Sequence, residues 1–176
     1  MDDASAETVL RALRRTRQVR RFTDEPVDEA AIRAILEVAR WTGSSENRQP
    51  WMFIVIRDRD VRRRIAELAP YARHVARAPI AIAILMNGEH PDEDTYDEGR
   101  AAERILIAAS ALGLGGGIGW ADGAAEQAEV GALLGVAPPA WIRTIVAIGH
   151  ATDEARRPRS GPGTGRRPLA ELVRER

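Results

Sequence analysis

The chain has 176 residues, 44% of them hydrophobic, which is enough for one domain with a real core and too apolar for a disordered segment. Its 26 basic and 26 acidic residues cancel, which argues against a general nucleic-acid binder. The chain has no cysteine, which rules out disulfides, thiolate zinc sites and a cysteine nucleophile and fits a cytoplasmic home.

In chain order, Ser5 to Arg15 reads as a helix with Val9, Leu10 and Leu13 as its apolar stripe. The start is acidic and lacks an h-region, so no secretory signal is expected. FTDEPVDE is a turn, broken by Pro26, with Asp28 as an N-cap. Glu29 to Arg40 follows helical spacing through Ile32, Ile35, Leu36 and Ala39. MFIVI is β-branched and aromatic, a buried strand. Arg59 to Leu68 is helical, with Val61, Ile65 and Leu68 inward. PIAIAIL is a second buried strand; its apolar run, Pro79 to Met86, is the longest in the chain and falls well short of a membrane span. NGEHPDEDTYDEG reads as a solvated acidic loop, and Gly99 to Leu112 as an apolar central helix. GLGGGIGW leads into a short strand, Ala124 to Leu134 is a small helix ended by Gly135, and Trp141 to Gly149 is a third good strand. PRSGPGTGRRP is loop chemistry and LAELV a last short element. Helices and strands alternate irregularly, so the pattern predicts an α+β sheet with helices around it in a single domain, residues 1–176.

Several chemistries find no support. His74, His90 and His150 are isolated, without metal spacing, and read as surface or loop histidines. The acidic stretch Glu89 to Glu98 lacks the ligand order of an EF-hand. Ser44 and Ser45 stand outside a GxSxG context. No register of the glycine cluster fits G-x-G-x-x-G, and the cluster follows a helix, so it is no dinucleotide fingerprint. Gly113 alone would serve as a helix C-cap. For the remaining glycines two readings stand, plain turns or close approach of backbone N–H groups to a flat ligand.

All basic residues are arginine, the better residue for forked grips on phosphate. They gather near both ends: Arg11, Arg14, Arg15, Arg17, Arg20 and Arg21, then Arg156, Arg157, Arg159, Arg166 and Arg167. A helix dipole accounts for the first few, but not for Arg20 and Arg21 beside Phe22. Together the two groups could grip a phosphate. Between Trp41 and Ile56, the stretch WTGSSENRQPWMFIVI concentrates short hydrogen-bonding side chains at a helix–strand junction.

RQVRRFTDEPVDEAAIRAILEVARWTGSSENRQPWMFIVI resembles the opening of the nitroreductase family, in which an arginine-rich R-x-F segment, a helix, P-S-x-x-N-x-Q-P-W and a strand follow in that order. GRAAERILIAASALGLG is similar to the family's central helix and glycine turn, and RRPLAELV to its C-terminal segment. The resemblance implies an α+β fold with a central, mostly antiparallel sheet flanked by helices. It also implies an interlocked homodimer with FMN at the subunit interface, its terminal segments (about 1–22 and 150–176) reaching the partner. By resemblance, Arg17, Gln18 and Arg20 would meet the FMN phosphate, ribityl chain and pyrimidine edge. Ser44, Ser45, Asn47 and Gln49 would reach the flavin from the other subunit. Backbone at Gly119 and Trp120 would lie near flavin N5 and O4, and Arg166 and Arg167 would close on the phosphate. No metal is implied and no side chain need be catalytic, because the flavin carries the chemistry.

The implied reaction is hydride transfer from NAD(P)H through flavin N5 to a nitroaromatic, quinone or similar acceptor, by a ping-pong mechanism. The alternative is a flavin-binding storage or sensor protein with little turnover; a deazaflavin could stand in for FMN, and a flavin-free interaction protein is a third reading. The chain departs from the family pattern at Gly43, where proline is usual, at Glu46, where a small residue is common, and at Thr16 and Gln18 by the phosphate. It is short for the family, and the acidic loop at Glu89 to Glu98 stands where longer members carry a lid helix.

Overall fold

The computed structural model describes residues 3–157 and 165–175, and its core is a four-stranded antiparallel sheet ordered β1-β2-β4-β3. The strands are β1 (Trp51–Ile56), β2 (Ile80–Met86), β3 (Gly115–Trp120) and β4 (Trp141–Gly149). The helices are α1 (Asp3–Arg15), α2 (Glu29–Arg40), α3 (Arg59–Leu68), α4 (Pro91–Ala111), α5 (Ala124–Leu133) and α6 (Asp153–Arg156). Short 3₁₀ turns cover Ser45–Asn47, Pro70–Arg77 and Leu169–Glu171.

β2 and β4 are the central strands, and their apolar residues alternate between two cores. On one face Ile82, Ile84, Val146 and Ile148 pack with Ile32 and Ile35 of α2 and Ile105 and Ala109 of α4. On the other Ala81, Ala83, Ile145 and Ala147 pack with Ile65 of α3, Val75 of the 3₁₀ turn and Val130 of α5. The helix ends follow their chemistry. The Asp28 carboxylate accepts from the Ala30 N–H at 3.3 Å, and Asp58 caps α3 in the same way. Gly113 (φ +75°) ends α4, and the Leu114 N–H turns back to the Ala109 carbonyl at 2.9 Å.

Three sequence expectations need correction. The acidic segment is not a solvated loop. It is the first half of α4, begun by Pro91 at the first turn with Asp92, Glu93 and Asp94 beside the positive end of the helix dipole. So no lid helix has been reduced to a loop there. The apolar stripe of α1, at Val9, Leu10 and Leu13, is about half exposed in the single chain. β1 is an edge strand, with Met52 turned out to solvent.

Finally, the expected short strand is there as β3, but it takes in Gly115, Gly116, Gly117 and Gly119, which are neither turn nor ligand loop. The segment after α1 runs along the free edge of β3, with Gln18 bridging Gly116 in parallel and the Val19 N–H donating to the Gly116 carbonyl at 2.7 Å. A Cβ on Gly117 would stand 2.1 Å from the Val19 carbonyl oxygen, and one on Gly119 would stand 2.7 Å from Ala72 Cβ. The glycines admit neighbouring chain, which explains them without a ligand.

The two arginine-rich regions are partly joined within the chain. Phe22 bridges Ala151, Arg21 pairs with Glu154, and Arg17 Nη2 donates to the Arg156 carbonyl at 2.7 Å. Arg159 and most of the preceding loop lie outside the described residues.

Gly117→Ala should cost about 1–3 kcal/mol by chemical denaturation, because its methyl meets backbone that cannot withdraw without unpairing Val19. Gly123→Ala, where a Cβ meets nothing within 4 Å, should stay within about 0.5 kcal/mol of wild type.

Candidate functional site

A cleft of roughly 750 Å³ opens between α4, the 3₁₀ turn at residues 70–77 and the free end of β3. Gln18 and Arg20 of the segment after α1, Ala102 of α4, and Ile118 and Trp120 of β3 line it. Tyr71, Arg73 and His74 close the side formed by the turn, and Glu98, Arg143 and Thr144 close the far end. The volume, and apolar side chains interspersed with convergent polar groups, are those of a small-molecule site.

Gln18 is placed by an unusual bond. Its side-chain carbonyl accepts from the Ile118 N–H at 3.2 Å, taking the part of a missing neighbour strand at the edge of β3. Arg20 Nη2 lies 3.5 Å from the same oxygen; among the described residues it pairs with no carboxylate, and it lines the cleft as a cation. His74 Nε2 donates to the Gly117 carbonyl at 3.0 Å. Burial holds its pKa below the usual histidine range; the Gly117 bond opposes this, and Arg20 adds to the lowering. His74 thus ties the turn to β3 while lining the cleft.

Glu98 is 2% exposed. Its Oε1 accepts from the Thr144 N–H at 3.0 Å, and its Oε2 lies 4.0 Å from Arg143 Nη1. Burial pushes its pKa up to about 7, against the opposing pull of the Thr144 bond and of Arg143. Two more carboxylates of α4 are buried beside it. Asp94 Oδ2 accepts from the Gly88 N–H, and Asp97 accepts from the Ser45 N–H and from Arg100, each at 3.1 Å.

The Asp97 bond anchors the polar loop. There the Gln49 N–H donates to Ser44 Oγ at 2.8 Å, and Arg48 pairs with Glu46 and Glu93. Glu46, Asn47 and Gln49 all have φ between +51° and +57°. Asparagine tolerates that region; for Glu46 and Gln49 it costs on the order of 1 kcal/mol or more each. The surrounding bonds over-determine a strained loop whose Ser45, Asn47 and Gln49 side chains stay exposed.

The candidate residues thus fall into separate groups. Gln18, Arg20 and Trp120 line the cleft, and Gly119 is buried behind it. Arg17 is turned to the end of α6. Arg166 is exposed, and Arg167 pairs with Glu171. Ser44, Ser45, Asn47 and Gln49 sit against the face of α4 that carries Glu93, Asp97 and Arg100, opposite the face of Thr95, Glu98 and Ala102 that lines the cleft. Reading the sequence missed Tyr71, Arg73, His74, Glu98 and Arg143. No motif marks them; only Glu98 had a signal, a helical i, i+3, i+4 spacing of acids at 94, 97 and 98. Among the described residues no group of three or more His, Cys, Asp or Glu could hold a metal, and no helix is long and apolar enough to cross a membrane.

Residues 13–70 match the Nitroreductase family model. A Methanothermobacter thermautotrophicus protein assigned as NADH dehydrogenase/NAD(P)H nitroreductase is 36% identical over 61% of this chain and 58% of its own length. The NADH dehydrogenase of Thermus thermophilus is 30% identical over 92% of each chain. Among solved structures, an FMN complex of a protein assigned as a nitroreductase, from Desulfovibrio desulfuricans, is 32% identical, with 96% of each chain covered and a TM-score of 0.76.

A raised carboxyl pKa sets a direction for stability. The native state holds the Glu98 proton longer than the unfolded chain, so the stability this confers is full below about pH 4.5 and lost as pH rises through about 7. The loss is of the order of 3 kcal/mol. Glu98→Gln keeps the acceptor for Thr144 without the charge, so in denaturation at pH 5 and pH 8 it should flatten this dependence and be the more stable form at pH 8.

Proposed function

The chain belongs to the nitroreductase family, and on that premise we propose that it is an FMN-dependent oxidoreductase drawing on NAD(P)H and acting on a nitroaromatic, quinone or similar electron-poor acceptor by a ping-pong cycle. The observation that carries the reading is the composition of the cleft. A flat, polar heterocycle with fixed donors and acceptors fits a lining that sets the apolar side chains of Ile118 and Ala102 and the ring of Trp120 beside the Gln18 amide and the Arg20 guanidinium. FMN, when bound, supplies the two-electron chemistry between nicotinamide and acceptor.

The protein's part is to bind and orient. Arg20 holds a fixed positive charge against the wall where an electron-rich ring edge would lie, and Gln18, locked by Ile118, cannot swing away from it. Arg17, with Arg166 and Arg167, would hold the phosphate, which asks Arg17 to exchange the Arg156 carbonyl for a stronger acceptor. Backbone at Gly119 and Trp120 would lie along the ring.

The polar loop supports a two-chain site. Ser44, Ser45, Asn47 and Gln49 are presented on the wrong face of α4 to serve their own cleft, in a strained and pre-set conformation, so they would serve the cleft of a second copy. The exposed apolar residues of α1, together with Leu169, Leu172 and Val173, offer the surface through which such a homodimer would form, with the terminal segments crossing to the partner.

The test begins with the visible spectrum of the purified protein before and after added FMN, followed by steady-state NAD(P)H oxidation with a quinone or nitroaromatic. Bound flavin with turnover is expected; bound flavin without turnover would favour storage or sensing. Arg17→Ala with Arg20→Ala should weaken FMN binding at least about tenfold, since each removes a charge-assisted contact. Light scattering should find a dimer at micromolar concentration, and a monomer there would overturn the two-chain site.

A further inference from the structure

The register of β4 carries a consequence beyond flavin binding. Ala83 of β2 faces Ile145, but Leu85, two residues on, faces Ile142. β4 therefore holds two residues, Arg143 and Thr144, where β2 holds only Ile84: a β-bulge in a central strand. The bulge resets the alternation. Ile142 and Ile145 both face the core beneath α3 and α5, while Trp141, Val146 and Ile148 face the α4 side. Arg143 and Thr144 are thus both left on the α4 side, and both line the cleft.

A bulge in a buried strand leaves an N–H without its ladder partner, which must be satisfied elsewhere. Here the Thr144 N–H donates to Glu98 Oε1 at 3.0 Å, offered by α4. Arg143 is held out by two further contacts. Its guanidinium stacks on the Trp141 ring at 4.6 Å, and its Nη1 lies 4.0 Å from the Glu98 Oε2. This ion pair is loose, so most of the cation's hydrogen-bonding capacity stays free toward the cleft.

We propose that Arg143 is the specificity-determining cation of the cleft, selecting an entering molecule that carries a carboxylate or phosphate, and that Glu98 is the positioning residue that fixes it there by holding the bulge. The site is the one assigned to flavin chemistry above, and the inference rests on that reading only for what the entering molecule then undergoes. Two molecules could bring the anion, the electron acceptor or the nicotinamide with its phosphates.

Calorimetric titration of the protein as purified, with 4-nitrobenzoate and with its methyl ester, reads the selection without needing turnover, so it stands even if no flavin is bound. The wild type should bind the acid more tightly than the ester. Arg143→Gln should lower that preference about tenfold. Glu98→Gln, which keeps an acceptor for the Thr144 N–H and removes the competing charge, should retain or raise the preference, whereas Glu98→Val should lose it. The KM for NADPH in the flavin-loaded variants separates the sources: a rise in Arg143→Gln confined to NADPH assigns the anion to the nicotinamide. If Arg143→Gln alters neither the acid preference nor that KM, the proposal is overturned. Equal loss in Glu98→Gln and Glu98→Val would overturn the role given to the bulge contact.

Discussion

Three buried carboxylates on one helix hold the working parts of this molecule in register. Asp94, Asp97 and Glu98 leave α4 in different directions, and each accepts a backbone N–H from a different segment: Gly88 after β2, Ser45 in the polar loop, Thr144 in β4. Hydrogen bonds to backbone are short-range and directional, so a helix that makes three of them through buried carboxyl groups becomes a ruler for the segments it touches. The arrangement is costly to disturb. Removing one partner of such a contact leaves a buried polar group unsatisfied, a loss of the order of 1–3 kcal/mol or more when charge is involved.

The same helix separates two surfaces. One face carries the strained loop of Ser44 to Gln49, and the other lines the cleft with Glu98 and Ala102. Within one chain the loop and the cleft lie on opposite sides of α4 and do not meet. The apolar residues exposed on α1 and at the C-terminal turn form surface of the kind that marks contact sites. The loop is itself strained: left-handed backbone at Glu46 and Gln49 persists because Asp97, Ser44 and Glu93 hold it from outside.

The free edge of β3 shows how composition serves geometry at the cleft. Glycines at 115, 117 and 119 let the chain after α1 and the turn at residues 70–77 lie directly on the strand. That approach brings Gln18 within reach of the Ile118 N–H and sets Arg20 beside His74. The cleft therefore draws its cations from distant parts of the chain, Arg20, Arg73 and Arg143, with Glu98 as the one buried acid among them.

The elements with local signatures were readable from sequence alone: α2 and α3 through their apolar spacing and aspartate caps, β2 and β4 through apolar runs, the end of α4 through Gly113. The family resemblance of the R-x-F and N-x-Q-P-W blocks was readable too, because those motifs are contiguous. What failed had non-local causes. An acidic stretch reads as solvated until the N–H groups that its carboxylates satisfy are known, and those belong to residues up to 52 positions away. A glycine run reads as turn or ligand loop until another strand lies on it. The bulge at Arg143 and Thr144 exists only as a mismatch between β4 and β2, which neither strand encodes by itself. Periodicity and capping fixed the elements because they act within a few residues along the chain. Tertiary structure decided which carboxylates are buried and which arginines face the cleft, because burial and hydrogen bonding depend on what other segments bring into contact.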